Sequence, residues 1–170
     1  LGEQAEKASK FIRKAVAFSV PLHLSSSSQQ LTRRENRLYT HRFLQTLLEK
    51  VTEKSARYPE DISPSMLTSI RSLYDFDNVI TGPLHGFKDA EDYYERNSSL
   101  YFLAGIRVPT LIVNAKNDPF LSQECLPERI DSDFVQIELP DSGGHCGFYP
   151  RNYRGKTWAE QRAAAWFNGN

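Results

Sequence analysis

Two side chains with catalytic potential follow short apolar segments in the second half of the chain. The apolar run 110–113 leads into a polar loop that ends on Asp118, and the run 134–139 leads into a glycine-rich loop that ends on His145. An aspartate that accepts a hydrogen bond from an imidazole fixes the histidine tautomer and stabilises the imidazolium that forms on proton uptake. These residue types predict an acid and a base for proton transfer.

The apolar runs before Asp118 and His145 predict buried parallel strands. A further uncharged run, 15–20, precedes Pro21 and predicts a strand that is apolar on both faces and ends at the proline. In open α/β sheets, ligands bind beyond the carboxyl ends of the strands. We therefore expect Asp118 and His145 at the same edge of one sheet, with the glycines at 143–144 allowing the sharp bend before the histidine.

Residues 31–100 carry a mainly helical pattern between two predicted strands. Apolar residues recur at helical spacing over 31–58, and 89–97 is a short acidic helix. We predict a polar loop at 25–28 and an ordered loop at 75–87. Parallel strands need only about a dozen connecting residues. The longer connection indicates an inserted helical cap over a site.

The domain organisation follows from these elements. We predict one partial α/β domain over 1–170, in which 31–100 is a helical cap or lid. Residues 101–170 then carry the strands that present the acid and the histidine, followed by a C-terminal helix at 156–167. The loop between the last strand and this helix, 140–155, is rich in glycine and proline.

The composition excludes several classes of function. The 170 residues are 39% hydrophobic and 25% charged, which indicates a soluble globular domain with a real core. Lys plus Arg equals Asp plus Glu at 21 each, and this balance argues against a nucleic-acid groove. The two cysteines are expected to be free thiols in a reducing cytoplasm, and the four scattered histidines lack metal-ligand spacing. No metal and no other cofactor is expected.

Five stretches of sequence carry a resemblance to a known family. They are KAVAFSVP at 14–21, FDNVITGPLHGF at 76–87, DYY at 92–94, VPTLIVNAKNDPF at 108–120 and GGHCGF at 143–148. Together they resemble the C-terminal half of an α/β-hydrolase of the YheT-like branch. The resemblance implies the C-terminal part of a doubly wound sheet, with three parallel strands and a helical cap insertion. It also implies a Ser-His-Asp triad in which Asp118 is the acid and His145 is the base.

The nucleophile of such a triad is not found in this sequence. The family that the chain resembles carries its catalytic serine in a Gly-x-Ser-x-Gly turn, the nucleophile elbow, upstream of the matching segment. Here the only glycine pairs four apart are 82/86 and 143/147, and neither brackets a serine. Ser19, inside the first predicted strand, is expected to be structural, as are the serines at 25–28 and Ser142. We therefore expect either that the functional unit is longer than these residues or that another chain supplies the rest, and that this chain is inactive alone.

Two functions remain open after this step. The resemblance implies hydrolysis of carboxylic esters by a serine from an upstream segment, with this chain supplying the acid and the histidine. The alternative is a catalytically incomplete pseudo-hydrolase that serves as a binding or structural module. For Asp118 alone, an Asx-turn before Pro119 is the alternative role, and for His145 alone it is a loop residue with no task.

The expected partner is a small acyl ester with an apolar acyl group. Aromatic residues of the helical insertion favour an apolar pocket, and we assign His85, Phe87 and Tyr93 as candidate substrate-binding residues. For His85, a packing or loop-fixing role is the alternative. The strand at 15–20, left without a neighbour on one side, is a hydrophobic edge that predicts self-association or pairing with another strand.

Overall fold

The computed structural model describes residues 1–149 and 155–169, so part of the predicted loop at 140–155 lies outside the described residues. The chain divides into two compact units. The sheet unit comprises Leu1–His23 and Ser98–Asn170, and the helical unit comprises Leu24–Asn97. Among the described residues, no helix combines the length and the apolar character that a membrane crossing requires.

The regular elements are short except for one helix of the helical unit. In chain order they are α1 (Glu6–Ser9), β1 (Ala15–Phe18), α2 (Leu24–Leu31), α3 (Arg37–Ser55), α4 (Pro64–Leu67), α5 (Leu73–Phe76), α6 (Gly82–Leu84), α7 (Ala90–Asn97), β2 (Thr110–Val113), β3 (Val135–Glu138) and α8 (Trp158–Asn168). A π-helix (Asp77–Thr81) and three 3₁₀ helices (Arg34–Asn36, Ser99–Gly105 and Gln123–Cys125) complete them.

The strands form a parallel sheet in the order β1-β2-β3, which confirms the predicted α/β fold with three parallel strands. Thr110 lies opposite Ala15 on one side and Val135 on the other. All four residues of β2 are buried. The central strand is covered on both faces, and this explains why its sequence is an uninterrupted uncharged run.

The two faces of the sheet pack against different parts of the sheet unit. On one face, the alternate residues Leu111 and Val113 form a cluster with Phe148, and Trp158 and Trp166 of α8 pack against it. On the other face, Ile112 joins a cluster whose buried members are Ala8, Leu22, Leu103, Ile106, Val108, Leu121 and Cys125. Alternation of side chains along β2 therefore divides the core into two layers.

The first strand is shorter and less buried than predicted. It ends at Phe18, not at Pro21, and its four residues are half-buried. Ser19 follows with a φ of 53°, a left-handed conformation that ends the extended backbone. The strand lies at the edge of the sheet, with β2 as its partner among the described residues, so its outer side is less enclosed than that of β2.

The predicted polar loop at 25–28 is wrong, because these serines lie within α2. Serine is a weak helix former because its hydroxyl competes for backbone groups. The carbonyls at the end of the helix are nevertheless satisfied from outside it. Asn36 donates to the Gln30 carbonyl at 3.0 Å, and Thr40 Oγ1 donates to the Leu31 carbonyl at 2.6 Å. These distant caps favour a helix that local propensity does not predict.

The predicted loop at 75–87 is also wrong, since most of it is helical. Ser72 and Asp75 form a reciprocal capping box that starts α5, and the π-helix and α6 continue the chain. A Cβ at Gly82 would lie only 3.0 Å from the Asp89 carbonyl oxygen, so this glycine allows close packing and does not mark a turn. The glycine and proline of this stretch therefore misled the prediction.

The helical unit has its own apolar core. Its buried members are Val51, Ile62, Ile70, Phe76 and Ile80. Beside this core, the buried Tyr94 hydroxyl donates to Asp77 at 2.6 Å. Burial of the ring and this hydrogen bond raise the pKa of Tyr94 above its ordinary value.

Candidate active site

The loops after β2 and β3 run side by side beyond the carboxyl ends of the strands. The backbone N–H of Asn114 donates to the Glu138 carbonyl at 3.1 Å, and that of Lys116 donates to the Pro140 carbonyl at 2.9 Å. These bonds continue the strand pairing past the sheet. Because the two loops stay paired, residues that follow each strand by a few positions are brought together at one edge.

Asp118 and His145 meet at this edge. Oδ2 of Asp118 lies 3.0 Å from Nδ1 of His145, and the aspartate side chain is fully buried while the histidine side chain is 36% exposed. An ionised carboxylate can only accept hydrogen bonds, so Nδ1 carries the proton. Nε2 is then the unprotonated nitrogen of the neutral ring. The arrangement can take a proton at Nε2 and stabilise the resulting cation through the aspartate.

The second oxygen of Asp118 makes the turn that the sequence offered as an alternative role. Oδ1 accepts a hydrogen bond of 2.9 Å from the backbone N–H of Phe120. The ring of Phe120 packs on the imidazole of His145, with 4.6 Å between the ring centroids. The Asx-turn and the histidine contact therefore coexist, because they use different oxygens and the turn orients the one that faces His145.

The loop that carries His145 depends on glycine at two positions for different reasons. A Cβ at Gly143 would lie 2.5 Å from the Phe148 ring and 2.9 Å from the Cβ of Ala115, so no side chain fits there. Gly144 has a φ of 57°, in the left-handed region. Cys146 and Phe148 are also left-handed, with φ values of 61° and 45°. Left-handed backbone in residues other than glycine persists only where the surroundings impose it, and it concentrates at functional sites.

Asn117 holds one side of this loop. Its Oδ1 accepts hydrogen bonds of 2.9 Å from the backbone N–H groups of both Gly143 and Gly144. The side chain therefore fixes the two residues before His145. Lys116, next to it, donates to Asp141 at 2.8 Å, and this contact lowers the pKa of the Asp141 carboxyl. Both partners of that ion pair are exposed, so it contributes little to stability.

Ser19 holds the other side. The prediction that Ser19 lies inside a strand is wrong, because it follows the end of β1 and is 4% exposed. Its Oγ accepts a hydrogen bond of 2.9 Å from the backbone N–H of Cys146, the residue after His145. The sequence analysis expected Ser19 to be structural but did not identify its contact with the histidine loop, and it did not single out Asn117. The only local signal was a polar residue after each strand, since Ser19 directly follows β1 and Asn117 lies four positions after β2.

Asn114 connects the segments that support the site. It is fully buried and directly follows β2. Its Oδ1 accepts from the Val20 N–H at 2.7 Å, and its Nδ2 donates to the carbonyls of Val20 and Cys125 at 2.9 and 2.7 Å. One amide thus ties the segment after β1 and a 3₁₀ helix to the end of β2.

The three candidate substrate-binding residues belong to the helical unit, whereas Asp118 and His145 belong to the sheet unit. The rings of Phe87 and Tyr93 are in contact, with 5.3 Å between their centroids. Burial, with a smaller contribution from the charge of Asp77, raises the pKa of Tyr93. His85 is exposed after α6 and does not share this ring contact among the contacts of the described residues. The structure therefore brings Phe87 and Tyr93 into contact, but not His85 with either of them among the described contacts.

No group of three or more His, Cys, Asp or Glu side chains among the described residues is arranged to hold a metal ion. The two cysteines are free, Cys125 buried and Cys146 exposed.

Comparison with known proteins finds relatives that are named esterases and lipases. The chain is 34% identical over 157 residues to the Escherichia coli protein named "Putative esterase YheT". The matched segment covers 89% of this chain and 46% of the relative. The chain is 31% identical over 166 residues to a monoacylglycerol lipase of Saccharomyces cerevisiae, covering 93% of this chain and 36% of the relative. Human monoacylglycerol lipase ABHD2 is 34% identical over 94 residues, which are 53% of this chain and 22% of the relative.

The chain thus spans less than half the length of these curated relatives. No family model matches it, and no solved structure matches it.

Proposed function

Because the chain belongs to the α/β-hydrolase superfamily, we propose that it supplies the acid and the base of a serine hydrolase that cleaves carboxylic esters. The observation that carries this proposal is the 3.0 Å contact between the buried Asp118 and the half-exposed His145 at the carboxyl end of the sheet. An acid held below the surface and a base that reaches solvent suit proton transfer to and from a bound substrate.

The proposed steps follow from the tautomer of His145. A serine hydroxyl oxygen attacks the acyl carbonyl carbon while Nε2 of His145 takes the hydroxyl proton. The imidazolium then gives this proton to the departing alcohol oxygen, which leaves an acyl-serine. Water then attacks the acyl carbonyl carbon while Nε2 takes one of its protons, and the imidazolium returns a proton to the serine oxygen as the bond to the acyl group breaks and the carboxylic acid leaves. Asp118 stays ionised throughout and offsets the positive charge on the ring.

The serine of this mechanism comes from outside the 170 residues in our proposal. The sequence contains no Gly-x-Ser-x-Gly. Ser19, a buried serine in contact with the histidine loop, accepts a hydrogen bond from the Cys146 N–H through its Oγ. We propose that the outer edge of β1 pairs with a further strand that leads into the nucleophile. Without that strand, the same edge predicts self-association.

We propose an ester with an apolar acyl group as substrate and the helical unit as the cap of the enzyme. Two of the relatives carry the name monoacylglycerol lipase, which supports an acyl ester of this kind. His85, Phe87 and Tyr93 are the proposed acyl contacts, and the paired rings of Phe87 and Tyr93 offer an apolar surface. The two free cysteines support a cytoplasmic location.

A chromogenic short-chain ester tests the proposal. The 170-residue chain alone is expected to give no turnover, since a triad without its nucleophile retains little acceleration. The chain extended upstream in its own reading frame is expected to hydrolyse the ester, and His145→Ala in that longer protein should abolish turnover.

Two results would overturn the proposal. Turnover by the 170 residues that disappears in His145→Ala would show that they contain a nucleophile. A folded extended protein without turnover on any acyl length would favour the second candidate, a non-catalytic binding module. The absence of the serine motif from these residues is the observation behind that alternative.

A further inference from the structure

The helical unit contains a groove that the proposed catalytic pair does not use. It has a volume of about 370 Å³ and runs between α3 and the segment from α5 to α6. Its floor is apolar, because the buried side chains of Val51, Phe76 and Ile80 line it. Leu84, which is 44% exposed, adds to one wall. The volume falls within the range of about 300–1,000 Å³ that is typical of small-molecule sites.

One side of the groove carries three cationic side chains and one carboxylate, that of Glu53, so its net charge is positive. Lys50, Lys54 and Arg57 lie at spacings of four and three along the chain, so they project from the same side of α3 and its end. Arg57 is paired with Glu53 at 3.0 Å. Neither lysine forms an ion pair with another residue in the part of the chain that the structure describes. Like charges four residues apart on a helix repel each other, and an anion between them would relieve that repulsion.

We propose that this groove binds the anion of a medium-chain fatty acid. The alkyl chain would lie over the apolar floor, and the carboxylate would meet the ammonium groups of Lys50 and Lys54. A neutral apolar ligand would leave the two lysines without a counter-charge, and a small inorganic anion would leave the floor exposed. An amphipathic carboxylate satisfies both parts of the groove. The inference does not rest on the proposed hydrolysis, because this binding requires neither a nucleophile nor the Asp118–His145 pair. The two proposals share only His85, which lines the groove and is also a proposed acyl contact.

Dodecanoate titrated into the folded chain, below its micelle-forming concentration, tests the site. Isothermal titration calorimetry should show saturable binding at one site, and amide NMR shifts should change in α3, α5 and α6. Each buried methylene strengthens binding by about fourfold. Octanoate, which is four methylenes shorter, should therefore bind about 250-fold more weakly if all four methylenes are buried, and at least about tenfold more weakly if two are. Dodecyltrimethylammonium, with the same tail and the opposite charge, should not bind saturably.

Two groove variants separate the charged and apolar contributions. Lys50→Gln combined with Lys54→Gln should weaken dodecanoate binding about tenfold, as expected for two exposed charge contacts. Leu84→Glu should abolish it by placing a carboxylate on the apolar wall. Lys7→Gln combined with Lys10→Gln makes the same change in net charge on exposed residues of the sheet unit, and it should leave binding unchanged.

Circular dichroism of each variant confirms folding before its affinity is compared. The proposal is wrong if dodecanoate shows no saturable binding. It is equally wrong if the Lys50/Lys54 variant binds as tightly as the Lys7/Lys10 variant, or if the cationic amphiphile binds as well as the carboxylate.

Discussion

The Oγ atom of Ser19 accepts a 2.9 Å hydrogen bond from the backbone N–H of Cys146, 127 positions away and adjacent to His145. Ser19→Ala should cost about 1–3 kcal/mol, because the Cys146 N–H loses its acceptor. Ser19→Gly loses the same acceptor but relieves the left-handed backbone at this position, which costs other residues about 1–2 kcal/mol. We therefore expect the glycine variant to be less destabilised than the alanine variant.

Urea unfolding followed by tryptophan fluorescence measures this difference, since both tryptophans lie in the sheet unit. Ser9→Ala is the control, because the Ser9 hydroxyl makes only a local bond to the Glu6 carbonyl on the exposed surface. It should change stability by less than about 0.5 kcal/mol. A glycine variant that is less stable than the alanine variant would contradict the role given to the backbone strain.

Asn117→Ala should loosen the loop that carries His145. The variant loses the acceptor for the N–H groups of Gly143 and Gly144, and the expected cost is about 1–2 kcal/mol because water can partly replace it at an exposed site. Amide hydrogen exchange at Gly143 and Gly144 should become faster. Asn168→Ala, an exposed change near the end of α8, is the matched control. Unchanged exchange at the two glycines would refute the proposed restraint.

Asp118→Asn should change the tautomer of His145. The asparagine amide can present a donor to Nδ1, whereas the carboxylate can only accept a hydrogen bond from it. Long-range ¹H–¹⁵N NMR should therefore show the ring proton on Nδ1 in the original chain and a loss of that preference in the variant. In a catalytically complete protein, kcat should fall by about four orders of magnitude for the same reason.

Asp141→Asn provides the control for this change, because it alters an exposed carboxylate in the neighbouring loop whose partner is Lys116. The His145 tautomer should not respond to it. If Asp118→Asn leaves the imidazole ¹⁵N shifts unchanged, the carboxylate does not set the tautomer and the proposed acid–base pair fails.

The helical unit should lose stability at alkaline pH through Tyr94. Burial and the hydrogen bond to Asp77 raise its folded-state pKa above the ordinary value of about 10. A raised folded-state pKa means that the neutral phenol stabilises the folded unit below the unfolded-state pKa. That contribution is lost as the pH rises through and above about 10. Far-UV circular dichroism during urea unfolding at a series of pH values should show this decline.

Tyr94→Phe should be less stable near neutral pH, because Asp77 loses a donor, but its stability should depend less on alkaline pH. Tyr58→Phe, at a position that is 57% exposed, is the control and should keep the pH dependence of the original chain. If the stability of Tyr94→Phe declined at alkaline pH as much as that of the original chain, the decline would be due to groups other than Tyr94.

The central strand and the family could be predicted from local sequence. Thr110–Val113 was predicted with its observed bounds, because a strand buried on both faces needs an uncharged run that a polar loop ends. The resemblance to α/β-hydrolases is confirmed by relatives that match most of the chain. Local patterns predicted a loop at 25–28, however, where the structure has α2. The groups that cap this helix come from Asn36 and Thr40, beyond its end.

The sequence by itself determined the α/β fold class, the bounds of the central strand and the polar loops that follow two of the strands, since uncharged runs and the polar residues after them are local properties of the chain. It therefore placed Asp118 and His145 at one sheet edge as an acid and a base that await a nucleophile. Only the tertiary structure decided that their side chains approach to 3.0 Å and that Nδ1 is the nitrogen that faces the acid. The restraints on that approach are contacts of Ser19 and Asn117 with a loop 127 and 26 positions away. Such contacts depend on the packing of the whole sheet unit, and no local pattern encodes them.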